Sequence, residues 1–211
     1  MRVIDCEQGS EQWEVFRMTR PTASQFGRII TPKRGQLSTS HRDYACELIA
    51  KQIGVYVEPP PSFWMEWGTE HEPTAIQEYC QRTGAEAEKV GFVLPDDTDS
   101  YGGSPDALLS NRQGLLEVKC PKPETLIRYH WDGELPTEHI AQVQGLLLIT
   151  GCEWCDFFAW HPELQPFHIR VEPDEKFHDS MREALLEFRD ALTELREKVS
   201  KAGVHVIRWG T

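Results

Sequence analysis

Asp106, Glu117 and Lys119 are the residues of this chain whose types and spacing most directly suggest chemistry. They fall in 102-GGSPDALLSNRQGLLEVKCP-121, where Glu117 and Lys119 stand two apart in a run of strand-forming residues. Side chains alternate along a strand, so the carboxylate and the ammonium leave one face while Leu116 and Val118 point to the other. The turn-forming 110-SNRQG-114 would fold the segment after Pro105 back on that strand, and such a hairpin brings Asp106 beside Glu117. Two carboxylates with a nearby main-chain carbonyl suit a hard divalent cation such as Mg²⁺. A lysine next to the cation can orient or help deprotonate an attacking water and offset charge building on a phosphate. Taken alone, a D-x(n)-E-x-K pattern more often marks an ordinary ion pair on an exposed strand face.

The elements that must position these groups are legible as a switch of period along the chain. Helical patterns occupy 11-EQWEVFRM-18, a short stretch near 22-TASQFGRII-30, 40-SHRDYACELIAKQI-53 and 70-EHEPTAIQEYCQRTG-84, with the Pro-rich turn 58-EPPPS-62 between the third and fourth. Thr22 and Ser24 are N-cap types, which leaves backbone N–H groups available to an anion at that helix start. Shorter β-type runs follow near 86–94, 101–109 and 114–120, then a helix at 137-TEHIAQVQGLLLIT-150 and strands at 154-WCDFFAW-160 and 166-PFHIRV-171. A long amphipathic packing helix closes the pattern, with Phe177, Met181, Leu185, Phe188, Leu192, Leu195 and Val199 at helical spacing and Gly203 at its end. Strands bracketed by helices, with hairpin and crossover connections, predict an α/β fold around a mixed central sheet. The expected organisation is one domain over residues 1–211, with a helical part to about 84, a sheet core at about 85–171 and the last helix at about 174–202.

With 39% hydrophobic and 27% charged residues and no apolar run long enough to span a bilayer, the chain reads as soluble, unexported and cytoplasmic. Its six cysteines lack the spacing of a disulfide scaffold, and Cys152 and Cys155, the one CxxC, read as packing thiols rather than a zinc site. A net charge of -12 argues against nucleic acid at first sight. Yet from Val15 to Arg42 the chain carries Arg17, Arg20, Arg28, Lys33, Arg34 and Arg42 with no acid among them. On charge alone, a solvated basic face and a phosphate-facing surface on a protein whose outside repels DNA stand level.

The ordered motifs then add to these readings. The blocks 13-WEVFRMTRPTAS-24, 67-WGTEHEPTA-75, 104-SPD-106, 117-EVKCP-121 and 141-AQVQ-144 together resemble the PD-(D/E)xK nuclease superfamily, and more closely the phage recombination nucleases of the lambda exonuclease and YqaJ type. The resemblance runs from about Trp13 to the strand near Trp160, and it implies a restriction-endonuclease-like core of a mixed sheet flanked by helices. It implies that Asp106 and Glu117 are the metal-binding carboxylates, with the Val118 carbonyl as a further ligand and Lys119 as the catalytic lysine. Glu72 would approach from the preceding helix to help hold a second metal, and Gln142 would line the site. Arg17 and Ser24 match the family's 5′-phosphate-binding pair, with Trp13 one helical turn before Arg17. Met65 stands where the family carries an apolar wedge between the strands, a place that Trp64 or Phe63 could also fill. A basic phosphate contact expected after Pro121 does not align, leaving Lys122 or Arg128 as substitutes.

The activity so implied is a Mg²⁺-dependent 5′-to-3′ exonuclease, with two ions and Mn²⁺ an open substitute. It would digest one strand of linear double-stranded DNA and leave 3′ single-stranded tails. A homotrimeric ring around the DNA, a single-strand annealing recombinase as partner, and a phage or prophage protein in a bacterial host are implied with it. Two other readings fit the same residues: a restriction- or repair-type endonuclease, and a catalytically silent DNA-binding subunit.

Overall fold

The computed structural model describes residues 1–204 of the chain. Strand β1 is Arg2–Ile4, and helix α1 is Glu11–Thr19, begun where the Ser10 hydroxyl accepts from the Trp13 amide. A 3₁₀ turn, Ala23–Gln25, runs into the one-turn helix α2 (Phe26–Ile29), and α3 is His41–Gln52. The long helix α4 covers Phe63–Thr83 and is ended by Gly84 in the left-handed region at φ 72°. Then come β2 (Ala87–Glu88), β3 (Phe92–Leu94), β4 (Ala107–Leu109) and β5 (Gly114–Lys119). Helices α5 (Pro123–Asp132) and α6 (Thr137–Thr150), strands β6 (Trp154–Ala159) and β7 (Phe167–Val171), and helix α7 (Glu175–Lys201) complete the order.

The main sheet has five strands in the order β2-β4-β5-β6-β7. Only β5 and β6 run parallel, with α5 and α6 forming the crossover between them. Strands β1 and β3 pair antiparallel as a separate two-stranded sheet. The larger hydrophobic core lies on the face that presents Leu115, Cys155 and Phe157, under α2, α3, α6 and α7. The opposite face presents Leu116, Val118 and Phe158 to Ala75, Ile76 and Tyr79 of α4. A mixed sheet with helices on both faces is the α/β architecture the sequence predicts.

Three details depart from the sequence pattern. Helix α4 starts seven residues ahead of Glu70: the β-favouring aromatics of 63-FWMEW-67, placed behind three prolines, mask a helix whose first turn is capped by Ser62. The run at 86–94 is two short strands in different sheets, because 89-KVG-91 turns the chain between them. Residues 101–106 are connection rather than strand, and β1 and α5 add elements the pattern does not single out.

That connection positions the site. Gly102 bridges Thr22, with the Ala23 amide donating to the Gly102 carbonyl at 2.9 Å and the Gly102 amide to the Pro21 carbonyl at 3.2 Å. Gly103 bridges Val93 on the other side. A Cβ at Gly102 would lie 2.3 Å from the Phe92 ring, so only glycine admits this approach.

Candidate active site

The hairpin expected from 110-SNRQG-114 forms, with Ala107 opposite Leu116 and Leu109 opposite Gly114. Its turn takes Ser110, Asn111 and Arg112 through the left-handed region at φ 49°, 56° and 70°. Arg112 anchors that strained turn by a two-pronged bond to Glu88 of β2, at 3.0 and 2.7 Å. Just before β4, the Asp106 amide donates to the Leu116 carbonyl at 3.2 Å, and its carboxylate accepts from the Val118 amide at 2.5 Å. The N–H and C=O of one strand residue leave the same edge, so the Val118 carbonyl also faces Asp106.

Glu117 is 1% exposed, and its Oε1 accepts from both the Lys119 ammonium and the Gln142 amide, the latter at 2.6 Å. Its Oε2 is buried and has no hydrogen-bond partner. Burial pushes the Glu117 carboxyl above the usual carboxylate range, with Lys119 opposing and Glu72 adding to the rise. Asp106 is pushed well up by burial and then by the charge of Glu117. Burial alone would lower the Lys119 ammonium, but Glu117 and Asp106 together outweigh it and hold the lysine cationic. A lysine held in this state can neutralise nearby negative charge but does not accept a proton.

This donor set fits a hard divalent cation. A buried carboxylate oxygen without a partner costs about 1–3 kcal/mol. That oxygen belongs to a side chain whose charge acts on Asp106, and the Asp106 carboxylate and the Val118 carbonyl share one edge of β5. Among the described residues no three His, Cys, Asp or Glu side chains close into a cage. The set is instead an open one, of the kind that leaves positions for water and phosphate. Glu72, half-buried on α4, acts on Asp106, Glu117 and Lys119 through its charge. It does so from outside any three-carboxylate cluster.

A hollow of about 630 Å³ opens between α1, α3 and the Pro59–Pro61 turn, and Arg17 lines it. The Arg17 guanidinium lies 4.2 Å over the Trp13 ring. Arg28, Lys51, Glu47 and Glu58 share the hollow but pair with one another, Arg28 with Glu47 at 2.8 Å and Lys51 with both glutamates. Arg17 makes no hydrogen bond or ion pair among the described residues. The basic stretch is thus no uniform face: Arg20 donates to the Asp99 carbonyl, Lys33, Arg34 and Arg42 are exposed, and Arg17 alone is both enclosed and uncommitted. Ser24 stands beside the hollow without lining it, its hydroxyl 3.2 Å from that of Thr22, which does line it. It sits inside a three-residue 3₁₀ turn that leads into a one-turn helix, so the helix-start argument for an anion carries little dipole here.

Met65 lines the same hollow and is 64% exposed, as is Phe63, whereas Trp64 is half-buried under Lys122, whose ammonium lies 5.9 Å from its ring. Lys122 heads α5 directly after β5 and makes no ion pair among the described residues, while Arg128 is drawn to Glu138 at 3.7 Å, which leaves Lys122 the less committed of the two. Cys152 and Cys155 are buried free thiols packed in the main core.

Two residues near the site receive no role in the motif reading, although Ser104 opens the block 104-SPD-106. Ser104 accepts from the Trp13 indole N–H at 2.8 Å, and its signal was its place two residues before Asp106. His139 lies one turn before Gln142 on α6 and bonds the Tyr129 hydroxyl at 3.0 Å; burial, then the charge of Lys119, pushes its pKa down to about 3. The i, i+3 spacing in 139-HIAQ-142 was the available clue.

Fold and site together place the chain among proteins that share an exonuclease architecture. The structure of an alkaline exonuclease, LHK-Exo, from Laribacter hongkongensis aligns with a TM-score of 0.77 at 30% identity, over 92% of this chain and 100% of that one. LHK-Exo in complex with dAMP aligns at 0.79 with 29% identity and the same coverage. A phage-related exonuclease from Haemophilus somnus 129PT shares the fold at a TM-score of 0.65 and 15% identity, over 85% of this chain and 96% of that one. No curated protein shows significant sequence similarity. Residues 12–153 match the model of the YqaJ-like viral recombinase domain, and the chain belongs to that family.

Proposed function

We propose that this protein is a Mg²⁺-dependent 5′-to-3′ exonuclease that digests one strand of linear double-stranded DNA from 5′-phosphorylated ends. The observation that carries the reading is the Glu117 oxygen left unpartnered in a buried site beside Asp106, with Lys119 held cationic against it. Asp106, Glu117 and the Val118 carbonyl would hold the metal, with Glu72 reaching a second ion. When bound, Mg²⁺ supplies Lewis acidity for attack on the phosphodiester. Gln142 fixes the rotamer of Glu117, and Lys119 orients the water and offsets negative charge developing on the phosphate.

The 5′-to-3′ direction is supported by Arg17, an uncommitted guanidinium in a hollow on the N-terminal helices that suits a terminal phosphate. Membership of a viral recombinase family supports a role in making 3′ tails for an annealing recombinase. A homotrimeric ring would turn the Arg17 hollows inward and the acidic exterior outward. The deciding measurement is digestion of linear and covalently closed duplexes, with 5′-phosphate or 5′-hydroxyl ends, with Mg²⁺ or with chelator. Mg²⁺-dependent loss of the 5′-phosphorylated linear substrate alone is expected. Cleavage of closed circles would establish an endonuclease instead.

A further inference from the structure

Trp13 stands between two sites that must act on one strand. It lines the Arg17 hollow on one side and, on the other, a cleft of about 1030 Å³ bordered by Glu72. Its ring is the platform for the Arg17 guanidinium at 4.2 Å, and its indole N–H donates to Ser104 Oγ at 2.8 Å. Ser104 is two residues from Asp106, on the connection whose Gly102 is bonded to Pro21 and Ala23. The backbone therefore fixes the cutting strand to the 21–23 segment, and one side-chain hydrogen bond fixes the platform of Arg17 to the same connection.

We propose that Ser104 is a positioning residue: by holding the Trp13 indole it sets the separation between a 5′ end gripped at Arg17 and the phosphodiester presented to Asp106 and Glu117. This rests on reading Arg17 as the 5′-phosphate grip and deepens that reading by naming what determines where the strand is cut. A strand held at a fixed distance yields products of uniform length. A platform free to tilt weakens the grip and widens the product lengths.

The test is a double-mutant cycle in the full-length protein, with Ser104→Ala, Trp13→Phe, which keeps a stacking ring without the N–H, and the two combined. The readouts are the ratio of rates on 5′-phosphate and 5′-hydroxyl ends and the lengths of the released oligonucleotides. Each single change is expected to lower the ratio about fivefold, the weight of one net hydrogen bond. Each should also add longer products, and the double variant should be no worse than either single. Ser104→Thr, which keeps the acceptor, should restore the ratio. Additive losses would overturn the proposal, since Ser104 would then act on the DNA independently of Trp13. An equal fall on both kinds of end, with product length unchanged, would overturn it as well. Arg17→Ala separates the two readings: if it leaves the ratio unaltered, the 5′-phosphate grip itself fails, whatever the cycle gives.

Discussion

Two carboxylates on neighbouring strands are almost equally hidden from water, Asp156 of β6 at 0% and Glu117 of β5 at 1% exposure, and they live opposite lives. Asp156 points into the α4 face, where Arg170 donates to it twice at 2.8 Å and the Tyr79 hydroxyl once at 2.6 Å, with His168 at 3.4 Å. Burial would raise its pKa, but the bonds from Arg170, His168 and Tyr79 pull it far below the usual carboxylate range. Glu117, on the other face, keeps one oxygen unmatched and is pushed upward. Burial is therefore not what separates a structural acid from a chemical one; completeness of partners is. The two arginines repeat the contrast: both lie over a tryptophan ring, Arg170 over Trp154 and Arg17 over Trp13, but only Arg170 is also bound to an acid.

The sharpest test exchanges each acid for its amide and removes the Lys119 ammonium. Glu117→Gln and Lys119→Ala should each cut the rate of DNA digestion by about 10³-fold, the scale of losing one preorganised electrostatic contributor. Circular dichroism should show the variants folded, and near-wild-type digestion would break the comparison. Asp156→Asn should do the reverse. Stability should fall by about 1.5–3 kcal/mol, the weight of hydrogen bonds to a buried carboxylate whose arginine partner stays in water, and the melting temperature by roughly 5 °C. The rate per folded molecule should hold, and a stable but inactive variant would show that the α4 face takes part in the chemistry. For the arginines, Arg17→Ala should shrink the preference for 5′-phosphorylated ends about tenfold, an effect of roughly 1.4 kcal/mol, measured as a ratio of initial rates.

The smallest effect concerns pH. Asp106 has a folded pKa raised above its unfolded value near 3.9, so its ionisation opposes folding once the pH rises past that value. Asp106→Asn removes that penalty and should raise the melting temperature by about 2–4 °C, with a gap that widens as the pH rises above the unfolded value. Asp156 has the opposite sign: its contribution is complete above about pH 4 and is lost as pH falls toward its depressed folded pKa. A gap that narrows with rising pH would contradict the assignment of Asp106 as the destabilised acid.

The hairpin and its three chemical residues were legible in sequence because they depend on strand alternation and turn chemistry, which are local. Gln142 and Arg17 were placed by ordered motifs, and the structure brings Gln142 onto Glu117 and Arg17 into an enclosed hollow. What stayed hidden is non-local. Nothing within 63-FWMEW-67 announces a helix, since its aromatics favour strands and its start depends on Ser62. The saturation of Asp156 needs β7 and α4 to meet across the sheet. The bond from Trp13 to Ser104 joins residues whose proximity follows from the bridge at Gly102, not from any spacing.

The parallel pairing of β5 with β6 also has a consequence for synthesis. A hairpin can close while its second strand is still leaving the ribosome, but a parallel neighbour must wait for its crossover helices. The strand carrying Glu117 and Lys119 therefore lacks one edge, and Glu117 lacks Gln142, until α6 and β6 have been made. A partly synthesised chain thus holds Asp106, Glu117 and Lys119 without the β6 edge and the Gln142 contact that complete their surroundings.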